Sequence, residues 1–295
     1  EENSDLFYET AGSYGTLGVI TAAEIMLIPA KKYVALTPIP VSSFSEAISV
    51  SRRHATNDYD FVECGMLSPD KGVIIVGRLT DAAVGTVLRV RRPFDTWYYI
   101  FTEKVAHQKT PKRASCRSKI TWFGLTEARF GVGKATIERC SLPFNVLTLL
   151  ALDPWLRTRK LYHRRTRKWV AQRYMCQDLM VPAKNAVALL EYIDKNFPFY
   201  PTGFCLMKPE PRSDLQCNGI EADLLVNIGV YGKRITPHAA FVQANRYIES
   251  TLKKLGVKNG FMLTRTTRAM NFGASTTKNA TKKFVKYTML PICHP

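Results

Sequence analysis

No run of about 18 consecutive apolar residues occurs in the 295-residue chain, which excludes a hydrophobic membrane-spanning helix from the sequence as it stands. The best candidate, Val146–Leu152, is too short and ends at Asp153-Pro154. Paired cysteines are also missing. The seven cysteines at 64, 116, 140, 176, 205, 217 and 293 contain no Cys-x-x-Cys, so they make neither a zinc ribbon nor a disulfide framework. An odd, scattered set reads as reduced thiols in a cytosol-facing protein. The histidines at 54, 107, 163, 238 and 294 lack metal-ligand spacing, and no metal site is expected. Nucleotide and nucleophile motifs fail one residue at a time. Around Gly131-Val132-Gly133-Lys134-Ala135-Thr136, Ala128 stands where a P-loop needs its first glycine and Ala135 where it needs Ser or Thr. A hydrolase elbow around Ser13 fails at Ala11. The opening Glu1-Glu2-Asn3 holds neither Met nor a signal peptide, so the chain is expected to begin inside a longer protein.

Acidic residues are scarce in two blocks only. Residues 104–173 hold 17 Lys/Arg against 3 Asp/Glu, and residues 253–295 hold 9 against none. These blocks carry all of the formal net charge of +18, the rest being mildly acidic. The densest run, His163-Arg164-Arg165-Thr166-Arg167-Lys168-Trp169, reads as an anion or nucleic-acid contact with Trp169 stacking, or as a solvated helix face.

What is present is organised around residues 5–33. Ser4-Asp5 caps a short helix through Thr10, with Asp5 at its positive end. Gly12, Gly15 and Gly18 follow at a spacing of three, then a β-branched run read as a buried strand over Leu17–Ile28, closed by Pro29. Bare backbone before a strand suits main-chain N–H groups laid against a phosphate or a flavin edge, and equally an ordinary tight turn. The spacing is not the Gly-x-Gly-x-x-Gly of a dinucleotide fold, and no strand precedes it.

Further along, Val34–Ile39 reads as a strand and Ser43-Phe44-Ser45-Glu46 as a capping box before a helix with Phe44, Ala47 and Ile48 on one face. Asp60–Leu67 and Gly72–Leu79 form a hairpin closed by Ser68-Pro69-Asp70-Lys71. Pro182 opens a helix presenting Ala186, Leu189, Leu190, Ile193 and Phe197. Strands are predicted at Gly203–Met207, Asp223–Val230 and Phe261–Leu263. A helix capped at Thr236-Pro237 should present Phe241, Ala244, Ile248, Leu252 and Leu255. The fold class is α+β, with a mixed, largely antiparallel sheet and flanking helices.

Laid out in this order, the ordered blocks resemble the Diminuto/delta(24)-sterol reductase family of FAD oxidoreductases, fungal members especially, within the vanillyl-alcohol-oxidase (PCMH-type) flavoprotein superfamily. The blocks are DLFYETAGSYGTLGVITAAEIMLIPAKKYVAL, CGMLSPDKGVIIVGRLTD, PFNVLTLLALDPWLRTRKLY, YMCQDLMVPAKNAV, FYPTGFC, ADLLVNIGVYG and FVQANRYIESTLKKLG, in family order across most of the chain. The resemblance implies the C-terminal end of a PCMH-type FAD-binding domain over residues 1–36, then a substrate (cap) domain over 37–267. It also implies that backbone around Gly12, Ser13, Gly15, Thr16, Gly18 and Val19 faces FAD. Gln177-Asp178 and Tyr200 fall in recurring blocks without an assigned role, and no catalytic residue is identified.

Two departures stand out. The family's pyrophosphate-binding half should precede residue 1, so this chain alone is expected to hold little FAD. A block like P-L-x-D-Y-x-x-R-x-x-R-G-A-F-W should lie between Thr110 and Pro143, where the chain reads CRSKITWFGLTEARFGVGKATIERC. Codons for Cys116–Gly133 exist that read PLEDYLVRLNRGAFWGG in a shifted frame, and Met270–Pro295 permits a similar family-like frame. Residues 111–142 and 268–295 are therefore expected to be frameshifted translation. Both segments lie in the basic blocks, so their charge is expected to be largely an artefact.

The implied activity is reduction of a carbon–carbon double bond of a sterol-like lipid, with FAD re-reduced by a pyridine nucleotide. The implied location is cytosol-facing, at the endoplasmic-reticulum membrane through an upstream part. The alternatives are an FAD-linked alcohol oxidase of the same superfamily and a basic nucleic-acid-binding module. A frameshift origin of the charge removes the second, leaving no nucleic-acid partner.

Overall fold

The structure is a computed structural model that describes residues 3–10, 17–24, 26–27, 29, 31–55, 59–89, 95, 97–117, 137, 141–156, 174–208, 222–233, 238–254 and 258–259. It opens with α1 (Ser4–Thr10), where the Leu6 N–H donates to Asp5 Oδ1 at 3.1 Å. After an extended stretch come β1 (Tyr33–Val41), α2 (Phe44–Ala55), β2 (Phe61–Ser68), β3 (Lys71–Thr80) and β4 (Thr86–Leu88). Next are α3 (Tyr98–Ala106), β5 (Ala114–Arg117), α4 (Val146–Leu156) and β6 (Tyr174–Pro182). A 3₁₀ turn (Ala183–Asn185) leads into α5 (Ala186–Asn196), then β7 (Thr202–Met207), β8 (Leu225–Lys233), α6 (His238–Lys254) and β9 (Lys258–Asn259).

The nine described strands make one sheet in the order β4-β5-β1-β3-β2-β7-β8-β6-β9. Every described pairing is antiparallel except β4 with β5. This is the expected α+β class. Neighbours in sequence pair where the turn chemistry demands it, Pro69-Asp70 joining β2 to β3 with Ser68 Oγ donating to Asp70 Oδ1 at 2.6 Å. β1 tolerates Pro38 and Pro40 because its pairing with β5 stops at Leu36, which leaves that side of the strand without a neighbour to serve.

Helices pack on both faces. Met175, Leu179 and Val181 of β6, Val226, Ile228 and Val230 of β8, Phe204 of β7 and Ile74 and Val76 of β3 alternate onto one side. There they meet Phe44, Ala47 and Ile48 of α2, Ala186, Leu189, Leu190 and Ile193 of α5 and Ile248 of α6. On the opposite side, Phe101 and Val105 of α3 cover Val34, Leu36, Val73 and Ile75. Among the described residues no helix is long and apolar enough to cross a membrane.

The capping box is present with one difference. Ser43 Oγ accepts from the Glu46 N–H at 3.1 Å, but the Glu46 carboxylate reaches back one residue further, accepting from the N–H and the hydroxyl of Ser42 at 2.7 Å each. Those two hydrogen bonds hold the Glu46 carboxyl below its usual range. A lowered folded-state value contributes stability above the unfolded-state pKa, and that contribution is lost as pH falls through the folded-state value. Thermal midpoints of wild type and Glu46→Gln should therefore differ near neutrality and converge on acidification; a gap independent of pH would contradict this.

The stretch Leu17–Ile28 corrects the sequence reading. Its described residues lie outside any strand, with Val19 90% and Met26 99% exposed. A β-branched run becomes a buried strand only where it pairs with a sheet edge, and the part of β1 nearest to it in the chain, Tyr33–Leu36, already has β3 on one side and β5 on the other. The strand expected over Asp223–Val230 is shifted to Leu225–Lys233. Those expected at Phe261–Leu263 and the helix cap at Thr236-Pro237 lie outside the described residues. β4, β5, α3 and β6 were not anticipated.

Residues 114–117, inside the segment expected to be out of frame, form β5, and the boundary expected at residue 36 falls within β1. Ser115 is fully buried, and its hydroxyl both accepts from the Val84 N–H and donates to the Val84 carbonyl at 2.7 Å, doing a strand's work with a side chain. Ser115→Ala should cost about 1 kcal/mol in a chemical unfolding measurement. No loss would show that water replaces the hydroxyl at no cost.

Candidate functional site

Among the described residues the side of β2, β7, β8 and β6 opposite α2 and α5 is covered only in part: Met180 and Leu225 on it are buried, while Gly203 and Cys205 are exposed. Alternation along each strand puts Glu63 and Gly65, Gly203 and Cys205, Asn227, Gly229 and Tyr231, and Asp178 on this side. The register aligns them in rows. Gly65 pairs with Gly203, Gly203 with Gly229 and Gly229 with Asp178, so a row of three glycines leads across three strands to one carboxyl group, with the Tyr231 ring lying over the last glycine. At a strand spacing of about 4.8 Å the glycines span about 10 Å. Among the described residues a Cβ on Gly65 meets nothing within 4 Å, and one on Gly203 meets only the Cys64 carbonyl oxygen at 3.7 Å. Over these two glycines the floor is backbone, and α3 stands over the β1–β3 part of the same face.

At the end of the row the Tyr231 hydroxyl donates to Asp178 Oδ1 at 2.5 Å. Gly229 makes this contact possible, since the Tyr231 ring occupies the space where a Cβ of residue 229 would sit. Burial pushes the Asp178 carboxyl above its ordinary value, and the tyrosine hydrogen bond only partly offsets that. In the next row, Cys205 pairs with Asn227. Burial raises the Cys205 thiol; a hydrogen bond from Asn227 works against this, and the charges of Asp178 and Glu63 add to it. Asn227 keeps its Oδ1 buried with no hydrogen-bond partner among the described residues.

Of the expected flavin contacts, Gly12, Ser13, Gly15 and Thr16 lie outside the described residues. Gly18 adopts φ +152°, a conformation that favours glycine, and a Cβ there meets nothing within 4 Å. Val19 is exposed beside it, as are Phe7, Ile20, Met26 and Leu27. So many large apolar side chains in one short strap make a surface suited to another part of a protein. Lys31 ties the end of the strap to Asp81 by an ion pair at 2.7 Å.

Gln177 and Tyr200 fall on the other side of the sheet, among the core residues, where Tyr200 donates to Asp194 Oδ1 at 2.5 Å. Asp178 alone of the three reaches the polar face. Its partner Tyr231 lies 53 residues away in sequence, and no local pattern linked the two. Cys64, Cys116 and Cys205 are free thiols. Among the described residues no group of three or more His, Cys, Asp or Glu side chains could hold a metal ion.

No protein-family model matches the chain. The chain is homologous to Delta(24)-sterol reductases. It is 30% identical over 276 residues to the Delta(24)-sterol reductase of Homo sapiens, covering 89% of this chain and 51% of that protein. It is 24% identical over 281 residues to the Delta(24)-sterol reductase homolog of Caenorhabditis elegans, covering 90% and 51%. It is 27% identical over 267 residues to the Delta(24)-sterol reductase of Pisum sativum, covering 78% and 46%. The chain thus spans about half the length of the curated relatives it matches.

Proposed function

We propose that the chain forms the substrate side of an FAD-dependent oxidoreductase that reduces a carbon–carbon double bond of a sterol. The observation that carries this is the similarity to Delta(24)-sterol reductases over about nine tenths of the chain. The partly exposed sheet face supports it in shape, because a fused-ring molecule needs a bed free of side chains and Gly65 and Gly203, paired across two strands, offer backbone there. The described part of the strap fits a flavin as an edge contact. Gly18 leaves its backbone open to close approach, and the exposed apolar side chains around it suit packing against the flavin-binding part.

When bound and reduced by a pyridine nucleotide, FAD would supply the hydride for the double bond. This chain's share is to bind and orient. Backbone around Gly12, Ser13, Gly15, Thr16, Gly18 and Val19 would lie along the cofactor. The sheet face would hold the sterol over it and keep water away. The reading also includes attachment to the endoplasmic-reticulum membrane through a part outside this chain. Residues 111–142 and 268–295 remain proposed as frameshifted translation, which a clean reading frame in the source transcript would disprove.

The test is expression from the complete coding sequence, flavin analysis, and incubation with a side-chain-unsaturated sterol and a reduced pyridine nucleotide. The expected product is the sterol with two hydrogens added. An unchanged sterol, with an alcohol oxidised at the expense of oxygen, would establish the alcohol-oxidase alternative instead.

A further inference from the structure

We infer that the Tyr231–Asp178 pair, with Asn227 beside it, anchors the ring hydroxyl of the sterol, so that the alcohol end lies over β6 and β8 and the hydrocarbon body runs back along the glycine row. The inference rests on the proposed sterol reading and goes beyond it by fixing which end of the molecule meets which residues.

Hydrogen-bond chemistry carries it. The patch presents acceptors, namely the Asp178 carboxylate and the buried Oδ1 of Asn227, which has no hydrogen-bond partner among the described residues. Tyr231 takes one acceptor position of Asp178, and a carboxylate has about four. Half-buried acceptors of this kind have lost water and gain most from a new donor. A double bond has no donor to offer. The alcohol is the one hydrogen-bond donor that a sterol necessarily carries, so this end of the ligand alone repays the desolvation of Asp178. Geometry agrees with the assignment. Gly229 lets the Tyr231 ring lie flat across β8 with its hydroxyl on Asp178, which leaves the bare positions Gly203 and Gly65 in line beside the pair.

Asp178 and Tyr231 are binding residues in this account, not proton donors, and the experiment separates the two. Equilibrium binding of a sterol and of its ring-deoxy analogue is measured on the protein from its complete coding sequence, for wild type, Asp178→Ala and Tyr231→Phe. Wild type should prefer the alcohol by about tenfold or more, the effect of a hydrogen bond to a charged acceptor. Asp178→Ala should bring the two affinities close together, whereas Tyr231→Phe, which frees an acceptor position on Asp178, should keep the preference. Damage confined to folding would weaken both ligands alike and keep their ratio, so a preserved ratio in Asp178→Ala overturns the inference. A wild type without preference overturns it too, while leaving the sterol reading in place. Binding of neither ligand overturns both.

Discussion

Gly203→Val should leave the protein folded and lower kcat/KM for a sterol about a hundredfold, the penalty for displacing a reactant by roughly an ångström from its working position. Gly203 lies on β7 in the middle of the bare row, between Gly65 and Gly229. A new Cβ there makes only an ordinary contact with the Cys64 carbonyl oxygen at 3.7 Å, so no atom of the described structure has to move. Valine suits a strand better than glycine does, and the thermal midpoint should hold or rise. The whole effect then falls on the ligand, which two methyl groups lift off the sheet. Thermal unfolding together with steady-state kinetics checks both halves. Unchanged turnover in a folded variant would show that the sterol does not use this face. Gly229→Ala makes a useful contrast, since it displaces the Tyr231 ring and should weaken the alcohol preference by a different route.

The largest stability effect is expected for Leu189→Ala, at about 2–5 kcal/mol in a denaturant titration. Leu189 is completely buried on α5, where the helix lies over β8 and β6 in one core with Val181, Val226 and Ile228. Truncation removes its transfer energy and leaves a cavity bounded by strands that cannot follow the helix inward. Leu147 on α4 is the control, the same residue type left 76% exposed. Leu147→Ala should stay within about 0.5 kcal/mol. Equal losses at the two positions would mean that α5 does not close the core.

Much of this was legible wherever the signal is local. The capping box at Ser43–Glu46, the Pro69-Asp70 turn and the helix carrying Ala186, Leu189, Leu190 and Ile193 each rest on chemistry within a few residues, and each stands where the sequence places it. β6 escaped notice because both of its sides are largely buried. Met175, Gln177, Leu179 and Val181 face one way and Met180 the other, and the polar Gln177 on the core side breaks the alternation that marks a strand. The strap failed in the opposite direction, since Val19 and Ile20 have strand-forming side chains but lie exposed outside any strand.

The sequence by itself determined the α+β class, the antiparallel hairpin at the sheet's centre and, through its ordered blocks, the likeness to Delta(24)-sterol reductases. Propensity, turn chemistry and similarity are all read along the chain. Only the tertiary structure decided that Asp178 meets Tyr231 and that three glycines from three strands fall in one row. Register between distant strands is set by which side chains share a core, and a single-residue slip would turn every one of these positions to the other face.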